Sequence, residues 1–372
     1  MPTEKQPPPE ARIASYLKRI ATGPEMSKDL SLEEARDGMT LILKRLVPDV
    51  QVAVFLIALR MKRESDDENR GVLEALRQAT RNVTAPIPDL ADLADPYDGF
   101  NRHLPAAPFL PVVLAACGLP TISHGCHRLG PKFGVTHHQI LAAAGARVNL
   151  TPEQAANRLA DPQVGWAYID QKEFCPPLHD LVELRRLIVK RPCLSTLEKL
   201  CGPIRAQQRT HLLVGYVHRD YERLLPLMAR HAGYASAFVI RGVEGGVMPA
   251  LNTTAACVAY TDGGTERQLK LDPKEAGLES TLRAVPLPSD RLMDSDDEED
   301  PTTDIETLAA ASAKAGLAAL SGATGPTRDS LVYTGAALLY TLGRFVSLRM
   351  AAAAVRDALD SGMALKRFQK GL

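Results

Sequence analysis

Apolar residues recur with a helical period over the first eighty positions and in short runs thereafter. Ile13, Leu17 and Ile20 fall three and four apart, and Ser31-Leu32-Glu33-Glu34 offers an N-cap with first-turn acids for a helix reaching about Leu46. Val50 to Lys62 is rich in Ala and Leu, and Val72, Leu73, Leu76 and Ala79 mark one side of an amphipathic helix over 66–80. The N-terminal segment is therefore predicted to be all helical. After Pro86 and Pro88 the pattern changes to apolar runs that each lead into a helix-like stretch: Pro111 to Cys117 then Thr121-Ile122-Ser123, His211 to Val217 then Tyr221 to His231, and Ala237 to Ile240. Such alternation predicts βα units around a mainly parallel sheet.

Val258-Ala259-Tyr260 and Gln268-Leu269-Lys270-Leu271, with Thr261-Asp262-Gly263-Gly264 between them, predict a hairpin. Ile305 to Leu320 and Leu331 to Gly362 predict two closing helices. The fold class expected is α/β, with a small N-terminal helical domain and a large α/β domain built on a mainly parallel central sheet. Residues 1–11 are expected to be a disordered Pro-rich N-terminus, 12–85 the helical domain with 165–200 packing on it, and 86–372 the α/β domain with an acidic loop at 290–304.

The chain has 372 residues, of which 45% are hydrophobic and 24% charged, enough apolar material for one large domain or two unequal ones. There is no run of eighteen apolar residues, and MPTEKQPPPE lacks the basic-then-apolar order of a secretory leader, so a cytoplasmic protein with no membrane contact is expected. Cysteines at 117, 126, 175, 193, 201 and 257 contain no CxxC pair and predict buried thiols, with neither disulfides nor structural zinc. Lysines plus arginines equal acids at 44 each, yet Asp294 to Asp300 alone holds six acids; setting those aside leaves 44 basic against 38 acidic residues. A mildly basic body with an acidic insertion follows, and the insertion is either a solvated loop or a mimic of nucleic acid that covers a basic groove.

Ala58-Leu59-Arg60-Met61-Lys62 with Asp66 and Glu68, Leu320 to Asp329 (LSGATGPTRD), Gly335-Ala336-Ala337-Leu338, and the spacing from His179 to Gly202-Pro203 together resemble anthranilate phosphoribosyltransferases, over nearly the whole chain. The resemblance implies a nucleoside phosphorylase/phosphoribosyltransferase type of fold and a homodimer whose contact lies in the helical domain. It also implies a cleft in which a Gly-rich loop cradles pyrophosphate while carboxylates hold magnesium. Against that pattern, GTGGD becomes Asp95-Pro96-Tyr97-Asp98-Gly99, NxST becomes Pro105-Ala106-Ala107-Pro108, and KHGNR becomes Ser123-His124-Gly125-Cys126-His127. Pro96 has no N–H to give a phosphate, and Tyr97 is bulky where a glycine should stand. The metal-binding acids fall on Val247 and Met248, and the arginine that meets anthranilate falls on Val189. Arg128 and Glu244 are nearby groups through which a local realignment could recover some function. These losses argue against phosphoribosyl transfer, and neither a catalytic residue, a metal nor a cofactor is expected.

Gains accompany the losses. Arg185, Arg186, Lys190, Arg191, Lys199, Arg205 and Arg209 surround the former aromatic-substrate segment. If Leu181 to Arg191 is helical, Arg186 and Lys190 share a face able to follow a phosphate backbone. Arg102, Arg128 and Lys132 are further candidates, and Trp166, Tyr168 and Phe174 either stack on bases or pack in the interior. His124, His127, His137 and His138 form either a catalytic or metal cluster or an ordinary polar loop. The combination resembles the YbiB-type paralogues, which implies a homodimer that binds DNA or other nucleic acid without sequence preference, through a basic groove and without catalysis. A divergent glycosyltransferase acting on a phosphoribosyl substrate is the alternative, and enzyme status stays open.

Overall fold

A computed structural model describes residues 7–23, 25–288 and 304–372; the acidic run Asp294 to Asp300 lies outside the described residues. The chain opens with four helices, α1 (Pro9–Ile20), α2 (Leu32–Leu43), α3 (Asp49–Lys62) and α4 (Asp66–Ala79). The first begins inside the stretch expected to lack order, because Pro9 at the first helical position has no N–H to satisfy and its ring presets φ. Ser31 and Ser65 each cap a helix through the N–H three residues on, while Glu34 and Glu68 reach back to the cap N–H. Helices α2 and α4 touch backbone to backbone at Gly71, where an added Cβ would lie 2.2 Å from the Leu32 carbonyl oxygen. Fully buried Glu68 accepts from the N–H groups of Leu30 and Ser65 at 2.9 and 2.8 Å and from the Lys62 ammonium at 2.7 Å. The ALRMK segment and its spaced acids thus lock α3, α4 and the α1–α2 connection together.

The strands are β1 (Val83–Ala85), β2 (Asp89–Ala94), β3 (Thr121–Gly125), β4 (Trp166–Asp170), β5 (Ile204–Ala206), β6 (Arg209–Tyr216), β7 (Ser236–Arg241), β8 (Ala255–Tyr260) and β9 (Arg267–Leu271). Seven form the central sheet in the order β4-β3-β2-β6-β7-β8-β9, and β1 pairs separately with β5. All neighbours from β4 to β7 are parallel, and the last two strands are antiparallel. The hairpin expected between Tyr260 and Gln268 is present. The unit expected over Pro111 to Ser123 is inverted: Leu110–Ala116 is helix α5 and Thr121 to Ser123 belongs to β3. The run Val112 to Ala115 is buried on every side, and such a run carries no period by which a helix can be told from a strand.

Side chains alternate across the sheet and build two cores. Leu93, Tyr168, Leu213, Phe238 and Ile240 face α5, α6 (His137–Ala143), α13 (Ile305–Leu320), α14 (Pro326–Thr341), α15 (Leu348–Asp360) and α16 (Met363–Lys370). Leu90, Ile122, Ile169, Leu212 and Val214 face the other way, toward α7 (Pro152–Ala160), α12 (Asp220–His231) and the helical domain. The single closing helix expected over Leu331 to Gly362 is two, because Gly343 adopts φ +72° and Ser347 caps a new start. Between β4 and β5 run α8 (Gln171–Phe174), α9 (Pro176–His179), α10 (Val182–Ile188) and α11 (Leu194–Leu197), of which α9 and α11 touch α4 and α10 touches α3. No helix among the described residues is long and apolar enough to cross a membrane.

Since removal of Glu68 strands the Leu30 and Ser65 N–H groups and leaves the Lys62 ammonium with Asp29 alone among the acids, Glu68→Ala is expected to cost about 3 kcal/mol. The measurement is the urea midpoint at constant slope.

Candidate functional site

Parallel strands of one sheet deliver their loops to one edge, and the residues after β2, β3, β4, β6 and β7 meet at that carboxyl edge. After β2, Asp95 turns its carboxylate inward, accepting the Val247 N–H at 2.7 Å and meeting His137 Nε2 at 2.9 Å. Tyr97 is 3% exposed; its hydroxyl pairs with His124 Nδ1 and donates to the Glu198 carbonyl at 3.3 Å. Asp98 accepts from Arg191 Nε at 2.7 Å, and its carbonyl takes the Gly134 N–H at 2.8 Å. Gly99 sits at φ +78° with Gly134 O 2.4 Å from where a Cβ would stand, so this turn admits only glycine. The loop is thus shut by its own side chains where a phosphate cradle would need free N–H groups.

His124 Nε2 stands 2.9 Å from Asp92, whose other oxygen accepts the Tyr234 hydroxyl at 2.6 Å. Asp92 and His124 are buried, as are Ser123 and Cys126, whose thiol is pushed up to about 12 by burial. His127 and Arg128 emerge to solvent, and the Arg128 guanidinium lies 5.0 Å over the Phe133 ring. Beside them, His138 Nδ1 pairs with Asp170 at 2.7 Å, and the His127 ring stands edge-on to His138 at 4.8 Å. Burial, then the neighbouring His138, holds the His127 imidazole below its ordinary value, so it is neutral near pH 7. No group of three potential metal ligands exists among the described residues.

The seven cations expected to line one groove do not share a surface. Arg185 is 1% exposed and forks onto Glu198 at 2.6 and 2.9 Å, with the Gln171 amide completing that carboxylate at 3.1 Å. Lys199 is buried and donates to the Gly215 carbonyl at 3.0 Å; burial lowers its ammonium to about 8 despite Asp95, Glu198 and Asp98 nearby. Arg186 turns to Glu183 on its own helix, and α10 stops at Ile188 because Val189 takes φ +62°, which removes Lys190 from the face of Arg186. Arg205 stacks 4.0 Å from the Tyr234 ring centroid, and Arg209 forks onto Asp89 at the opposite end of the sheet. Lys190, Arg191 and Arg128 are exposed at the carboxyl edge. The three aromatics are interior: Trp166 stacks on Phe368 at 5.3 Å, and Tyr168 and Phe174 are fully buried.

Sequence reasoning named Glu244, Lys132 and Arg102 separately and missed that they, with His103, meet in one cluster centred on Glu244. Its carboxylate accepts the N–H groups of Asn101 at 3.4 Å and Arg102 at 2.9 Å, and meets His103 Nδ1 at 2.8 Å and the Lys132 ammonium. Burial alone would raise this carboxyl, but His103 and Lys132 outweigh it and hold the group at about 2. Glycines at 242, 245 and 246 around a lone acid were the available signal. Val247 and Met248 are buried and offer no oxygen, while Asp95, Asp98 and Glu244 already have protein partners. This donor set does not fit magnesium.

Family models match residues 14–80 as the helical bundle domain of a glycosyl transferase family and 106–365 as its a/b domain. The chain is 29% identical to the anthranilate phosphoribosyltransferase of Methylobacterium nodulans, covering 94% of each, and 26% identical to that of Rhodopseudomonas palustris, covering 96% of each. Among solved structures, the anthranilate phosphoribosyltransferase of Thermus thermophilus superposes with TM-score 0.72 at 21% identity, over 96% of this chain and 97% of that one. The Saccharomyces cerevisiae enzyme in complex with PRPP and Mg gives 0.72 at 15%, over 97% and 96%.

A carboxyl held at about 2 when folded and near 4.5 when unfolded contributes stability that is complete above the unfolded value and vanishes as pH falls through the folded one. Glu244→Gln is accordingly expected to lower stability by about 3 kcal/mol at pH 7, the difference shrinking steadily from pH 5 toward pH 2. Chemical denaturation of both proteins across that range is the check.

Proposed function

This chain belongs to the glycosyl transferase family, and from that premise we propose that it is a divergent member whose cleft takes a phosphoribosyl compound and neutralises its phosphate with protein cations alone. The observation that carries this is the convergence of Lys132, His103 and two backbone N–H groups on one anionic group at the carboxyl edge. Displacement at a ribosyl anomeric carbon places negative charge on the departing phosphate, so the group that neutralises it lowers the barrier. An ammonium with an imidazole fills the role that a metal has elsewhere. His127, neutral and edge-on to the Asp170-held His138, is placed to accept a proton from an attacking nucleophile. In a thermal-shift titration, phosphoribosyl pyrophosphate is expected to raise Tm equally with and without magnesium, and Lys132→Ala to remove the rise. No shift in the unaltered protein would refute the reading.

Nucleic-acid binding by a homodimer, in the manner of the YbiB-type paralogues, is the second reading. It is favoured by the exposed cations Arg128, Lys190 and Arg191 at the same edge and by an apolar groove on the helical domain. That groove, about 570 Å³, runs between α1, α3 and α10 past Val54, Ile57, Met61 and Leu187; Met61 is 73% exposed and Leu187 62%. Such a surface suits a second copy of the chain. Lys199 and Arg185 drop out of this interface because they are buried. Replacing Arg128, Lys190 and Arg191 together by Ala is expected to weaken oligonucleotide binding and to reduce the salt slope of log K by roughly 2 to 3 in a gel-shift series. Met61→Glu should halve the mass seen by light scattering and lose avidity in the same assay. Binding at low salt that ignores both changes would count against this second reading.

A further inference from the structure

We infer that the Glu244 carboxylate is an internal stand-in for a phosphate-class oxyanion, and that the loop 242–246 withdraws it when such an anion enters. This rests on the reading that the cleft takes a phosphate-bearing compound. Two consecutive backbone N–H groups, an imidazole and an ammonium, drawn from the loops after β2 and β3, converge on it. Successive N–H groups with a cation beside them are the donor set of an oxyanion nest. A planar carboxylate satisfies it incompletely: the Arg102 N–H approaches to 2.9 Å, but the Asn101 N–H stays at 3.4 Å. A tetrahedral anion has a further oxygen for that donor.

The loop that delivers Glu244 has the properties of a removable plug. Glu244 itself sits at φ +51°, ψ +21°, a conformation that non-glycine residues seldom hold without compensation. Gly242, Gly245 and Gly246 flank it, with Gly245 at φ +81°. An added Cβ on Gly242 would stand 1.6 Å from the Gly246 carbonyl oxygen, so the two ends of the loop are pinched together and the acid projects from a narrow neck. A void of about 10 Å³, room for at most one water, lies between His103, Val243 and Met248 at the base of the loop. The four donors keep the strained residue in place, and a competing anion removes what keeps it there.

Isothermal titration with inorganic phosphate tests the inference without any assumption about catalysis. Glu244→Gln, which keeps the shape and deletes the charge, is expected to bind phosphate at least tenfold more tightly than the unaltered chain, with no dependence on magnesium. Adding Lys132→Ala to that variant should abolish the gain. Should Glu244→Gln fail to give a folded protein by circular dichroism, Glu244→Asp, too short to reach all four donors, is expected to show the same direction of change. Equal affinity in variant and unaltered chains, or a gain that survives loss of Lys132, overturns the inference. Stabilisation of the unaltered chain by phosphoribosyl pyrophosphate alongside such equality would sink the plug alone, whereas silence toward both compounds would sink it together with the parent reading.

Discussion

A carboxylate taken out of water must find a cation or a set of donors, and the carboxyl edge of this sheet is organised by that requirement. Asp92 has His124 and the Tyr234 hydroxyl, Asp95 has His137 and the Val247 N–H, Glu198 has Arg185, and Glu244 has Lys132 and His103. Asp92 with His124 ties β2 to β3, the Asp95 and Glu244 pairs join the segments after β2, β3 and β7, and Arg185 with Glu198 folds the 171–200 connection on itself. These acids are consumed in holding the edge shut.

Burial decides which of the many basic residues remain available to a partner. Lys199 is turned inward under a strand carbonyl, Arg185 is sealed against Glu198, and Arg209 lies at the far end of β6. Arg128, Lys190 and Arg191 stay exposed at the edge, with Asp98 moderating the last. The phosphoribosyl and nucleic-acid readings therefore differ less in where the phosphate goes than in how much chain follows it. A compact ligand would need the inner donors around Lys132, whereas a polymer would need the outer cations and the second copy that an apolar α3–α10 face invites.

Local order was legible where the chain speaks locally. Ser31 with Glu34, the hairpin around Gly263, and the period of the N-terminal helices announce themselves in neighbouring residues, as does the absence at 95, 97 and 98 of the glycines that the family resemblance implies. Buried runs were not: Pro111 to Cys117 is apolar on all sides, and nothing in it separates helix from strand. The basic segment misled for a related reason. Charge read along a sequence says nothing of which cations are paired, and Arg185 and Glu198, thirteen residues apart, are joined only by the bend at Val189 to Leu194. The Glu244 cluster draws on positions 101, 102, 103, 132 and 244, a combination that only the parallel sheet brings together.

This closure also explains why the pocket is not a simple ancestor with parts missing. Restoring glycine at Asp95 alone would strand the Val247 N–H and the His137 imidazole in a dry interior, each losing a partner at a cost of about 1–3 kcal/mol. Restoring glycine at Tyr97 would empty the space between Cys126, Leu129 and Val182 and leave His124 Nδ1 without its hydroxyl. Neither change returns a donor to phosphate, because Pro96 between them has no N–H to give. The side-chain-filled loop is thus a satisfied state of its own, from which each single step toward the glycine-lined loop that the family resemblance implies is unfavourable. A chain in that state keeps the scaffold, and an anion entering its cleft would meet cations placed elsewhere on the same edge.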